Sequence, residues 1–92
     1  MRLKDLYSFE VVGRDVIENA LRALNEELER EGSRYRYAYG GAYGKPYLQV
    51  CRVENFDKEL QRCRIIDDEK VFSTRRDLLN AIRMIRYATK RT

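Results

Sequence analysis

Ninety-two residues, 37% of them charged, with 19 Lys and Arg against 15 Asp and Glu and no histidine, fit one small basic domain. A chain this short buries only about two-thirds of its unfolded surface, so it has room for one core, and pairing into a homodimer would add stability. No apolar run approaches the roughly 18 residues of a membrane span, and Met1-Arg2-Leu3-Lys4-Asp5 lacks the apolar stretch of a secretory signal, so the expectation is a cytoplasmic protein with no membrane role.

Residues 1–14 hold Leu3, Leu6 and Tyr7 at helical spacing, then Ser8-Phe9-Glu10-Val11-Val12 at strand spacing, which leaves two readings, a short arm or an added strand. From Asp15 onward Ile17, Ala20, Leu21, Leu24 and Leu28 recur every three or four residues and predict a helix over 15–31. Asp15 is its expected cap, Glu18 completes a capping box, and Gly32 supplies the left-handed residue that closes it. The period then falls to two: Arg34, Tyr35, Arg36, Tyr37, Ala38 and Tyr39 predict a strand. Residues 40–46, rich in glycine, read as a hairpin loop into a second strand over 47–53. Asn55 to Glu59 turns the chain. A third strand is expected at 60–66, with a short helix over 56–66 as the alternative, and Asp67-Asp68-Glu69-Lys70 as a polar turn. Ser73 or Thr74 then caps a final helix whose apolar stripe is Leu78, Ala81, Ile82, Ile85 and Ala88. The expected fold class is α+β, ordered helix, three antiparallel strands, helix, with both helices on one face of the sheet and residues 15–92 forming a single domain.

Charge is unevenly spread: +1 over residues 1–14, −4 over 15–31, +4 over 32–66, −2 over 67–72 and +5 over 73–92. On the last helix, 100° per residue places Arg75, Arg76, Arg83, Arg86 and Lys90 in one sector. That sector is either an ordinary solvated face or a track for phosphates or an acidic protein surface. In the first strand Tyr35, Tyr37 and Tyr39 share a face, and Arg34 and Arg36 take the other, where Arg52, Arg62 and Arg64 could extend them into a cationic ladder. Tyrosines turned toward the helices would be core. Turned outward, with Tyr43 and Tyr47, they would make a platform that stacks bases or anchors an interface. Lys45, in the hairpin loop, completes the candidate partner-binding set.

Catalytic chemistry finds little footing. The run from Gly40 to Pro46 lacks the glycine spacing, the hydroxyl residue after lysine and the following helix of a phosphate-binding loop. Without histidine there is no common base for a nucleophile, and Cys51 and Cys63 cannot by themselves complete a zinc site. Both cysteines are expected as reduced structural side chains. The pairs Glu26-Glu27 and Asp67-Asp68 read as solvated charge. No enzyme activity, cofactor or metal is expected.

The hairpin Tyr37-Ala38-Tyr39-Gly40-Gly41-Ala42-Tyr43-Gly44-Lys45-Pro46-Tyr47-Leu48 and the helix start Ser73-Thr74-Arg75-Arg76 give residues 16–88 a pattern that resembles small proteins of bacteriophages and mobile elements. Their size class includes anti-CRISPR and other anti-defence inhibitors. That resemblance implies a non-enzymatic inhibitor or modulator acting on a host protein or nucleoprotein complex in the host cytoplasm. The order of elements is also similar to a double-stranded RNA-binding domain, which implies direct nucleic-acid binding by the hairpin loop and the start of the second helix. Gly44-Lys45-Pro46-Tyr47 would stand at that loop, without the family's histidine, and the acidic first helix would repel phosphate.

Overall fold

The computed structural model describes residues 12–42 and 44–91. The element order is α1 (Arg14–Arg30), β1 (Tyr35–Ala42), β2 (Lys45–Arg52), a 3₁₀ turn (Val53–Asn55), β3 (Phe56–Asp57), β4 (Arg62–Cys63), β5 (Asp68–Val71) and α2 (Arg75–Arg91). Strands β1, β2 and β5 form an antiparallel sheet in that spatial order, and β3 and β4 form a separate small hairpin. The fold class read from the sequence holds: α+β, in helix, strands, helix order.

Each helix boundary has a local cause. Helix α1 begins one residue before Asp15, with Gly13 at its N-cap and no side-chain cap, so the expected capping box does not form and Glu18 pairs with Arg14 at 2.8 Å instead. Its C-terminus closes as expected. Gly32 has φ +71°, its N–H donates to Glu29 O, and Ser33 N–H donates to Leu28 O, a pair of bonds that satisfies the last carbonyls. Thr74 caps α2 by accepting the Asp77 N–H at its hydroxyl, 3.1 Å away.

The core joins Ile17, Leu21, Leu24 and Leu28 of α1 to Leu78, Leu79 and Ile82 of α2 and to Leu48 of the sheet, with Tyr37 and Tyr39 packed against it. Because Tyr37 pairs with Val50 and Tyr39 with Leu48, these side chains share the helix-facing surface. The opposite face is not solvent over β1 and β2: Arg36, Ala38 and Cys51 are all buried. The β3–β4 hairpin covers it, tied down by a disulfide between Cys51 and Cys63, whose Cα atoms lie 5.9 Å apart. This corrects the expectation of reduced cysteines. Residues 60–66 stand across from β2 rather than within its sheet, and that brings Cys63 against Cys51.

Three further expectations change. The third sheet strand is Asp68–Val71, expected as a turn, whereas the 60–66 segment contributes only the two residues of β4. The hairpin loop is shorter than residues 40–46, because Ala42 already pairs with Lys45 and Gly44 takes φ +76°. Gly40 therefore lies within β1, where a Cβ would stand 2.5 Å from the Gln49 amide nitrogen crossing it. The proposed arm or strand over 1–14 falls, except for its last three residues, outside the described residues.

Edge strand β1 has an unusual partner. Asn25, buried in α1, accepts the Tyr37 N–H at 2.9 Å and donates its amide to Tyr37 O at 2.8 Å and to Gln61 Oε1 at 3.0 Å. One side-chain amide thus satisfies both main-chain groups that a neighbouring strand would otherwise take.

Candidate functional site

Helix α1 starts beside the hairpin end of β1, where Arg14 lies 5.7 Å from the Tyr39 ring. It ends near the opposite end, where Asn25 meets Tyr37 and Glu29 pairs with Lys58 at 3.0 Å. Helix α2 also starts at the hairpin end: Phe72 N–H donates to Pro46 O, and Arg75 Nε donates to the Tyr39 hydroxyl at 3.4 Å. Both helix N-termini, the β1–β2 turn and their cations therefore gather at one end of the molecule. Tyr39, between Arg14 and Arg75, links the two helices there. The positive ends of two helix dipoles add to the same field.

A groove of about 530 Å³ opens beside this end, lined by Arg14, Glu18 and Arg22 of α1, Gly40 and Gly41 of β1, and Arg62 of β4 among others. Arg14 is paired with Glu18, whereas neither Arg22 nor Arg62 has an ion-pair partner among the described residues. The strip Arg14, Glu18, Leu21, Arg22 runs at i, i+4, i+7 and i+8 along one side of the acidic helix, so this part of α1 is not acidic. Of the other carboxylates, Asp15 lies in the first turn, and Glu26, Glu27, Glu29 and Glu31 sit in the last turns and just beyond, away from the hairpin.

On α2 the outward ridge is Arg76, Asn80, Arg83, Tyr87 and Lys90, with Met84 beside it at 72% exposed and Tyr87 at 63%. Arg75 is exposed and also donates to Val12 O at 3.4 Å. Arg86 departs from the expected sector. The buried stripe includes Leu79, about 60° beyond Ile82 at the edge of the stripe read in the sequence, and this draws Arg86 inward to a half-buried position where its Nε has no hydrogen-bond partner among the described residues.

The sheet residues divide. Arg34 and Lys45 are exposed, and Tyr47 is half-buried on the surface opposite the helices. Arg36 is only 6% exposed and donates from Nη1 to Ser33 O and Tyr35 O, at 2.8 and 2.7 Å. Tyr39 is half-buried against the core. Arg36 is thus not an exposed contact and opens only onto a cavity, which corrects its place on an outer surface, whereas half-buried Tyr39 lines the groove at the hairpin end. Arg36 pairs with Cys51, and Arg52 pairs with Tyr35 on the other face, so no ladder of Arg34, Arg36 and Arg52 forms. The aromatic platform fails with it, because Tyr37 and Tyr39 face the helices. Tyr43 lies outside the described residues.

Sequence reading missed Arg14 and Arg22 as site residues. Their signal was an eight-residue spacing on one helix face, masked by the net charge of the segment. Among the described residues no helix is long and apolar enough to cross a membrane, and no cluster of His, Cys, Asp or Glu is placed to hold a metal ion. No protein-family model, curated protein or solved structure matches the chain.

Proposed function

We propose that this is a non-catalytic module that binds the phosphate backbone of a structured nucleic acid with its hairpin end and the outward ridge of α2. The supporting observation is the convergence of Arg14, Arg22, Lys45, Arg62, Arg75 and Arg76 around the starts of both helices and the β1–β2 turn. Four of the six carboxylates of residues 15–31 lie at the far end of α1, and Asp15 and Glu18 near its start are balanced in charge by Arg14 and Arg22, which lessens the electrostatic objection to contact by that helix. Phosphate contacts of this kind position a protein without reading sequence, so recognition by duplex shape is the expected mode.

The test is a titration of labelled duplex RNA and duplex DNA at several salt concentrations. With about six phosphate contacts, affinity should fall roughly 10³-fold between about 50 and 200 mM salt. Alanine at Lys45, Arg83 or Lys90, each exposed and without a described partner, should lower the slope of log K against log salt by about one apiece. Absence of binding to either duplex at low salt sinks the reading.

A second reading follows from the acidic end formed by Glu26, Glu27, Glu29 and Glu31. A molecule with separated charges can sit on a nucleoprotein, its basic end on nucleic acid and its acidic end on a basic protein surface, as an inhibitor or modulator of a phage or mobile-element type. Charge reversal of Glu26 and Glu31 would then weaken binding to the complex while leaving binding to naked duplex unchanged. Cytoplasmic residence sits uneasily with Cys51–Cys63, since disulfides persist in oxidising compartments. Thiol trapping in intact cells decides the compartment.

A further inference from the structure

A second cavity, of about 220 Å³, opens between α1, the β1 edge and the β3–β4 hairpin. Arg36 lines it, and this guanidinium is nearly fully buried yet has no carboxylate of the described residues within ion-pair distance. Nη1 is spent on two main-chain carbonyls, whereas Nε and Nη2 make no hydrogen bond to the described residues. They are not sealed off, since Arg86 Nε alone is fully buried without a partner among the described side-chain polar atoms. Burying a charge without its counterion is costly unless something else supplies it.

The neighbouring acid does so only at a distance: Lys58 first and Arg36 more weakly hold the Glu29 carboxyl below its usual value, but Glu29 forms its ion pair with Lys58 and not with Arg36. Glu29 is held by Lys58, whose Nζ lies 3.0 and 3.2 Å from its two carboxylate oxygens. The wall opposite carries a second irregularity. Gln61 has φ +54°, and its side chain is fixed at both ends, donating to Lys58 O and accepting from Asn25. A non-glycine residue held in the left-handed region is a local cost that the surrounding bonds sustain. Phe56 and Val53 add apolar surface to the same cavity.

We infer that this cavity binds a short-chain carboxylate, its two oxygens on the free edge of the Arg36 guanidinium and its carbon chain against Phe56 and Val53. The planar fork of Nε and Nη2 matches a carboxylate in bidentate geometry. Glu26 and Glu29 at the rim disfavour a multiply charged phosphate. The cavity is smaller than the roughly 300–1,000 Å³ of drug-sized sites, which limits the ligand to a few heavy atoms. The carboxylate comes either from a free small acid or from the C-terminus of a peptide. The site is distinct from the hairpin end and does not depend on nucleic-acid binding.

Amide and Arg Nε–H NMR spectra of the full chain, titrated at matched ionic strength with acetate, propionate, butyrate, phosphate and chloride, test the proposal. A short peptide with a free or an amidated C-terminus separates the two sources. The expected result is saturable shifts at Asn25, Arg36, Phe56 and Gln61 with a Kd of about 1 mM or tighter for the carboxylates alone. Val53→Trp, at an exposed rim position, should fill the cavity and weaken binding at least tenfold. Arg36→Lys should do the same wherever its thermal melt shows a folded protein. Shifts no larger than those of chloride, equal binding of phosphate, or undiminished binding in Val53→Trp would each overturn it.

Discussion

Asn25 shows how much one side chain settles. It stands within the α1 period, and a polar residue on a mostly apolar face invites reading as an interruption. Its amide instead completes the main-chain bonding of Tyr37 across the β1 edge. Asn25→Leu keeps the shape but leaves that N–H and C=O unpaired, and should cost about 2–3 kcal/mol in urea unfolding. A loss under about 1 kcal/mol would mean water replaces the amide. Asp57 acts locally: its Oδ1 accepts the Leu60 N–H at 3.0 Å and shapes the β3–β4 turn. That bond, with the Arg64 guanidinium nearby, holds its carboxyl below the usual value. A lowered folded pKa adds stability above the unfolded value and loses it as pH falls through the folded one. Asp57→Ala should therefore lower Tm more at neutral pH than in strong acid, as calorimetry across pH would show. The Asn25 partnership was not legible beforehand, because Tyr37 lies 12 residues from Asn25 and spacing carries no record of it.

Among the elements, both helices, β1 and β2 were legible because each buries one face and so writes its period into the chain. The ends followed from caps where the cap used its own side chain or a glycine, as at Thr74 and Gly32, and missed by a residue where Gly13 merely turned the chain. Strand β5 was hidden for a different reason. Asp68 to Val71 are all exposed and mostly charged, and they are a strand only because β2 offers main-chain partners. Period cannot reveal an element that buries no side chain. The 60–66 segment erred the opposite way, since its apolar residues Leu60, Ile65 and Ile66 remain exposed. What holds it is the Cys51–Cys63 bond, closing a 12-residue separation, together with hydrogen bonds such as that from Asn25 to Gln61. Reduction, or Cys63→Ser, should cost about 3 kcal/mol of stability, read from urea melts with and without dithiothreitol. The loosening should be confined to β3, β4 and the cavities they wall, as hydrogen exchange would report.

Over the whole molecule, segment charges described the poles but not their placement. The −4 of residues 15–31 suggested a helix hostile to phosphate, yet folding turns its start, with Arg14 and Arg22, toward the basic hairpin end and carries its last carboxylates away. Exchanging charge between the ends tests whether placement matters: Arg22→Glu should weaken duplex binding severalfold at low salt, and Glu31→Lys should not strengthen it comparably. Both effects should shrink as salt shortens the screening length. The β1 edge bears on a different property. With Asn25 occupying Tyr37, the β1 edge is interrupted within its length, while along β5 the exposed charges of Asp68, Glu69 and Lys70 discourage an incoming chain. A variant lacking that amide would become a template extendable on two sides, and filament growth under stress would follow from the loss of a single helix residue.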